Sequence, residues 1–238
     1  MKRILGILAI LSIAGAAGAT ELVDEDFTYP DGALTNVAVG TWAAHSGTTG
    51  ADVSGNALSL SASSSMDVNT SLGGTYSSGT VYYKFELTMT AQPTATGSYL
   101  AHLKDGASNF RDRVYAKSSG AGFVLGVSTW TETATFWATV LDLSTPYTVV
   151  VGANLGTDTT TLWIDPLTES STSISSTAAT TSTATQFAFR QASGIGTMTI
   201  DDLAVATTFN EVVPEPATAG LLLVAGLGFA FRRLRTRE

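Results

Sequence analysis

The sequence predicts an all-β fold: two antiparallel sheets packed face to face as a sandwich, with one short apolar segment at each end of the chain. Three observations predict it. Val81, Tyr83, Phe85, Leu87 and Met89 alternate with Tyr82, Lys84, Glu86, Thr88 and Thr90, the period-two pattern of a half-buried strand. Short segments of strand composition recur between turn signals such as Asp105-Gly106, Ser119-Gly120, Thr145-Pro146, Gly156-Thr157 and Gly194-Ile195-Gly196. Between the two ends no run keeps a 3.6-residue period, while Ser and Thr make up roughly a quarter of the chain, and β-branched Thr suits strands.

Length and charge narrow the classes. The 238 residues suit one domain of ordinary core size plus terminal segments. Hydrophobic residues at 44% are too many for a disordered chain. There is no cysteine, hence no disulfide, thiolate nucleophile or Cys-ligated zinc, and two histidines leave no room for a His-rich metal site. A net charge of −8 argues against nucleic acid as a partner, because phosphate neutralisation needs Lys and Arg.

The N-terminus, residues 1–19, reads as a secretory signal. Lys2 and Arg3 form the positive region, Ile4 to Ala14 the apolar core, and Ala17 and Ala19 the small residues before a cut.

Strands are expected at Ser98 to Lys104, Arg113 to Lys117, Gly122 to Val127, Thr135 to Leu141, Tyr147 to Ala153, Thr160 to Ile164, Gln186 to Gln191 and Thr197 to Val205. Thr168 to Thr185 is a Ser/Thr-rich stretch, read as a long exposed loop with room for one edge strand and for sugar attachment.

At the C-terminus Pro214-Glu215-Pro216 precedes an apolar run, Ala217 to Phe231, and then Arg232, Arg233, Arg235 and Arg237. A helix of that length spans roughly 22 Å at 1.5 Å per residue, short of a ~30 Å hydrocarbon core. The arginines predict a cytoplasmic end and a body outside. Without both ends, six basic residues face eighteen acidic ones, a net charge of −12.

The tail over 211–238 resembles a PEP-CTERM sorting signal, carried by Pro214, Glu215, Pro216 and the Arg232-Arg233 pair. The resemblance implies an exosortase as processing partner, a precursor transiently in the inner membrane, and a product at the cell surface or in an extracellular biofilm matrix. The body, 20–210, resembles LamG-like, concanavalin A-like jelly rolls. Glu25-Asp26-Phe27-Thr28-Tyr29 with Asp31-Gly32-Ala33-Leu34, Leu162-Trp163-Ile164-Asp165-Pro166, and Met198 to Val205 carry that likeness. It implies a jelly-roll sandwich with both domain ends in one sheet. The Gly- and Trp-rich segment that often follows the opening is reduced here to Gly40-Thr41-Trp42.

Chemistry is sparse. No Glu-x-Asp-x-x-Glu motif supplies the paired carboxylates of a glycosidase on this fold, and no G-x-S-x-G elbow supplies a nucleophile. Asp201 and Asp202 are adjacent and face opposite sides of a strand. Asp24 with Asp26, and Asp105, Asn109 and Asp112, are candidate calcium ligands, because hard cations take oxygens from loops and LamG-like relatives sometimes bind calcium. His102 lies in a strand and is expected to be packed or hydrogen-bonded. Trp130 and Trp137 are candidates for stacking on sugar rings. The function expected is a non-enzymatic, exported adhesive or matrix protein with weak binding to extracellular polysaccharide. A glycoside hydrolase or polysaccharide lyase, and a purely structural coat protein, are the alternatives.

Overall fold

The computed structural model describes residues 20–106, 108–179 and 183–214. Ala17, Ala19, Glu215, Pro216, Arg232 and Arg233 lie outside the described residues. Among those described, no helix is long and apolar enough to cross a membrane.

In chain order the elements are β1 (Glu21–Glu25), β2 (Gly32–Ala33), α1 (Leu34–Val37), β3 (Trp42–Ser46), β4 (Asp52–Val53), β5 (Leu58–Ser61), β6 (Asp67–Tyr76), β7 (Thr80–Ala91), β8 (Ser98–Lys104), β9 (Phe110–Ser119), β10 (Gly122–Ser128), β11 (Thr135–Phe136), β12 (Pro146–Asn154), β13 (Thr159–Ile164), β14 (Ser173–Thr177), β15 (Ala184–Phe189), β16 (Thr197–Ala206) and α2 (Phe209–Val212). They form two antiparallel sheets. The nine-stranded sheet runs β14-β13-β12-β7-β16-β5-β4-β2, with β1 also on β16; the seven-stranded sheet runs β11-β10-β9-β8-β15-β6-β3.

The alternation in β7 is realised as expected. Val81, Tyr83, Phe85, Leu87 and Met89 are all buried between the sheets. Across the sandwich they meet Leu100, Leu103, Val114, Ala116, Phe187 and Phe189 of the seven-stranded sheet. In β9 and β15 these alternate with residues on the outward face, whereas in β8 register shifts on either side of Ala101 put Leu100, Ala101 and Leu103 all in the core.

Both ends of the domain share a sheet, as the jelly-roll resemblance implies: Val23 lies opposite Val205 and Glu25 opposite Leu203. The pairing rests on a bulge. Asp202 takes a left-handed backbone (φ 51°), and the register breaks between Asp201 and Ala204. Residues 197–200 therefore pair with β5, and 203–206 pair with β1. Asp201 accepts the Asp202 N–H, and Asp202 pairs with Lys84 Nζ at 2.6 Å.

One expectation is modified, and another, the edge strand, is met. The strand expected over Thr135 to Leu141 is only β11; the chain then bends away through exposed Ala138 to Val140 and rejoins β10 at a single bridge, Phe123 with Leu141. Within the Ser/Thr-rich stretch, β14 forms the edge of the nine-stranded sheet, with Ile174 opposite Leu162.

A second small apolar cluster lies on the outer side of the nine-stranded sheet. Tyr82, Val150, Trp163 and Ala206 are covered there by Phe209 and Val212 of α2. Trp163 is thus buried, but beneath the C-terminal turn rather than between the sheets.

Candidate functional site

The outward face of the seven-stranded sheet collects groups that the rest of the fold leaves without partners. Leu103, Val114, Ala116 and Phe189 point into the core. Their neighbours Lys104, Arg113, Tyr115, Lys117 and Arg190 therefore point outward. Tyr99 and His102 from β8, Phe110 from β9, and His45 from β3 join them through ring contacts. Ring centroids are 4.7 Å apart for His102 and Phe110, 5.5 Å for Tyr99 and His102, 5.9 Å for His45 and His102, and 5.6 Å for Tyr99 and Tyr115.

Tyr99 is flanked by two guanidinium groups, Arg190 at 4.2 Å and Arg113 at 4.8 Å from its ring centre. Each is held by one hydrogen bond: Arg190 Nη1 donates to Ser98 Oγ, and Arg113 Nε to the Phe110 carbonyl. Further along the face Lys117 Nζ lies 3.9 Å from the Phe136 ring centre. Gly126 makes room for that ring, because a Cβ there would come within 2.6 Å of Phe136 Cδ1.

Buried polar atoms are normally hydrogen-bonded. Here both nitrogens of His45, both nitrogens of His102 and Gln186 Oε1 are buried and without a partner among the described residues. Asp158 Oδ1 is the one other such atom described. His45 Nε2 stands 3.9 Å from Asp67 Oδ2, beyond hydrogen-bonding reach. Burial disfavours the charged form of both imidazoles. Burial, then the neighbouring His45 and the cations Arg113, Lys104 and Arg190, push His102 well below the usual histidine range. Burial first, then Lys104, lowers His45 in the same direction. His102 is packed as expected, but against rings and without a hydrogen bond.

The sequence-stated candidates are distributed differently. Trp130 is exposed to 36% and carries the Arg111 guanidinium at 4.8 Å from its ring. Trp137 is half-buried, and its backbone N–H donates to the Leu125 carbonyl. The aromatic surface of this face is built instead from Tyr99, Phe110, Tyr115 and Phe136.

The candidate calcium ligands do not converge. Asn109 Nδ2 donates to Asp105 Oδ2 at 2.5 Å, but Asp112 leaves that loop. Its left-handed backbone (φ 54°) turns its side chain into the interior, where Oδ1 accepts the Thr160 hydroxyl at 2.6 Å. Asp24 and Asp26 are exposed, and Asp26 Oδ1 accepts the Thr28 N–H. Among the described residues no three acidic or histidine side chains cluster as a metal site. These residues do not fit a six- to eight-oxygen calcium shell.

Within the acidic N-terminal run, Glu25 turns into the interior. It is buried and accepts the Phe27 N–H, the Tyr29 hydroxyl and the Trp42 indole N–H. Asp112 and Glu132 are linked by a second network, which runs from the interior to the loop after β10. The Thr160 hydroxyl lies 2.6 Å from Asp112 Oδ1 and 3.0 Å from Thr129 Oγ1, its single proton serving one of the two; Thr129 donates to the Ser176 carbonyl, and Ser176 Oγ donates to Glu132. Burial pushes the Asp112 carboxyl up to about 7. Glu132 is lowered, because hydrogen bonds from Ser176 and from the backbone of Thr129 and Trp130 outweigh its desolvation. Asp112 is buried in the interior, whereas Glu132 is half-buried in the loop that follows β10.

No protein-family model and no curated protein matches this sequence. Solved structures do. A β-1,3-glucanase from Mycobacterium marinum aligns over 80% of this chain and 100% of its own, at 12% identity and a TM-score of 0.50. The CBM2 module of the evolved Dit protein of Lactobacillus casei BL23 phage J-1 aligns over 79% and 95%, at 10% identity and 0.48. The carbohydrate recognition domain of Emp47p aligns over 81% and 98%, at 12% identity and 0.46. At these identities the likeness speaks for the fold alone. The body is a concanavalin A-like jelly roll, an architecture shared by binding domains and by enzymes.

Proposed function

We propose that this is an exported, non-enzymatic surface or matrix protein that binds carbohydrate through the outward face of its seven-stranded sheet. The observation that carries the binding half is the row of half-buried rings on one face, Tyr99, Phe110, Tyr115 and Phe136, with Arg113 and Arg190 set against Tyr99. Sugar hydroxyls both donate and accept, and the apolar faces of sugar rings stack on aromatic side chains, so a saccharide can lie on these rings and bond to the polar groups beside them. With the full chain in neutral detergent, immobilised polysaccharides are expected to retain the protein. Tyr99→Ala is expected to weaken retention at least tenfold. Retention on none of a broad panel overturns the reading.

Export rests on the signal-like N-terminus and on the Pro-Glu-Pro, apolar and Arg-rich order of the tail. In this reading the tail holds the precursor in the inner membrane until an exosortase cuts near Pro214. Intact mass of the protein recovered from its host's surface and medium tests this. Loss of both ends is expected, and a mature chain ending at Glu238 overturns it.

One observation favours an enzyme instead. The His102 imidazole, with no hydrogen bond on either nitrogen and its ring 5.5 Å from that of Tyr99, is a group able to transfer protons once the face opens to it. Against a carboxylate-pair glycosidase, the Asp67 carboxylate on this face is engaged by Ser46 Oγ and by the Gln191 N–H. New reducing or unsaturated chain ends that vanish in His102→Gln would establish the enzyme.

A further inference from the structure

Charge is segregated between the two sheets. Strands of the nine-stranded sheet carry seven carboxylates and one cation, Lys84, which is paired with Asp202. Strands of the seven-stranded sheet carry Lys104, Arg111, Arg113 and Lys117 against two carboxylates, Asp67 and Asp112, both buried. Arg190 follows directly on β15. Among the described residues Lys104, Arg113, Lys117 and Arg190 enter no ion pair, although the same body holds eighteen acidic residues. Such an arrangement leaves Arg113, Lys117 and Arg190 available on a face that also presents rings.

We infer that the carbohydrate bound by this face is anionic, its carboxylate or sulfate groups meeting Arg113, Arg190 and Lys117 while its rings lie on Tyr99 and Phe136. The inference rests on the carbohydrate-binding reading above and sharpens it to a ligand class. Guanidinium groups pair with planar anions through two parallel hydrogen bonds, and two of them are stacked in place on one tyrosine. Holding them there lowers the ordering cost of binding. The cationic groups extend from β9 to the end of β15, with the Phe136 ring of β11 beyond them. At about 4.8 Å per strand the whole sheet is roughly 29 Å wide, room for several sugar units. A body of net charge −12 repels a polyanion at long range, so attraction has to come from a local patch acting within a Debye length of ~8 Å at physiological salt.

The test is retention of the full chain in neutral detergent on four immobilised polymers: polygalacturonate, its fully methyl-esterified form, dextran sulfate and dextran. Expected is retention on a charged polymer at least tenfold stronger than on the esterified or neutral ones, weakening as salt rises. Retention on polygalacturonate identifies carboxylate as the recognised group, and retention on dextran sulfate alone identifies sulfate. Arg113→Gln with Arg190→Gln is expected to reduce binding at least tenfold, and Lys84→Gln on the other sheet to leave it unchanged. Lys117→Gln, which breaks no hydrogen bond seen here, is expected to weaken it severalfold and guards against a misfolded double variant, as does an unchanged melting curve. Equal retention on dextran and esterified polymer overturns the anionic class while leaving carbohydrate binding intact. Retention on none of the four, with binding to no other polysaccharide, removes the underlying reading as well. Charged-polymer binding that survives both arginine substitutions and Lys117→Gln overturns the assignment to this face.

Discussion

Trp42 donates its indole N–H to Glu25, Nε1 to Oε2 at 2.8 Å, and the bond joins the two sheets, since Glu25 ends β1 of one and Trp42 opens β3 of the other. A second polar tie crosses the sandwich elsewhere. Thr160 of β13 and Tyr83 of β7, both in the nine-stranded sheet, donate to the side chain and to the carbonyl of Asp112 in β9. Hydrophobic burial between the sheets is non-directional. These two ties add direction, and each depends on a buried carboxyl-bearing residue.

Glu25 therefore carries a first prediction. Glu25→Ala strands a buried indole N–H, a tyrosine hydroxyl and the Phe27 N–H together. Unmet buried donors cost roughly 1–3 kcal/mol each, and partial access to water reduces the sum. A loss of about 3 kcal/mol is expected in urea unfolding, whereas Trp42→Phe, which removes one donor and keeps the ring packing, is expected to lose less. Equal losses for both would mean that the bonds from Tyr29 and Phe27 contribute nothing beyond the one from Trp42.

Asp112 carries a second. Its folded pKa, raised by burial to about 7, exceeds the unfolded value of 3.8. Between those values the folded state holds a proton that the unfolded state has released, so stability falls as pH rises through about 4 to 7. The three-unit gap corresponds to up to about 4 kcal/mol. Asn fits the same left-handed backbone and still accepts from Thr160. Asp112→Asn is thus expected to raise stability at pH 8 and to flatten this part of the profile. Melting temperatures at pH 5 and pH 8 for both proteins decide it.

The histidines slope the other way. His45 and His102 are pushed below 6.5, so the unfolded state takes up protons first as pH falls, and stability is lost below that value. In the wild-type chain this partly cancels the Asp112 effect. In the Asp112→Asn background it should stand alone, as acid destabilisation beginning near pH 6.5. His102 ring proton shifts that stay at their neutral position below the ordinary histidine midpoint would confirm the cause. A normal titration of His102 would refute it.

How far these features were legible in the sequence differs between fold and face. The core side of β7 was readable because five large apolar residues alternate without interruption from Val81 to Met89. The strands before Val81 were not, because β2 and β4 are two residues long and β6 mixes Asp, Asn, Thr and Gly. For the candidate face, Arg113, Tyr115 and Lys117 alternate with Val114 and Ala116, and that local signal was present. Nothing local says that Tyr99 and Arg190, 91 positions apart, share a ring contact. That follows only from β15 lying against β8. Asp112 misled for a related reason: spacing placed it with Asp105 and Asn109, and a single left-handed residue sent it to the opposite side of the sheet.

The last prediction concerns where the folded body ends. Phe209 packs edge-on against Tyr82 and Trp163, with centroids at 5.8 and 5.4 Å, and Val212 is buried beside it. The four residues of α2 are too few to be stable alone, so they hold their helical turn because this apolar patch receives them. Phe209→Ala is expected to cost about 3 kcal/mol, the lower end for a buried phenylalanine, since the site lies at the rim. Val213 is bonded to the Phe209 carbonyl, and the Pro-Glu-Pro motif begins at the next residue. A chain stopped after Val213 should therefore melt with the full body, whereas one stopped after Ala206 should melt several degrees lower and expose Trp163 to fluorescence quenchers. If the shorter chain melts with the longer one, the turn contributes no stability. A cut near Pro214 would then be no better placed than one several residues earlier.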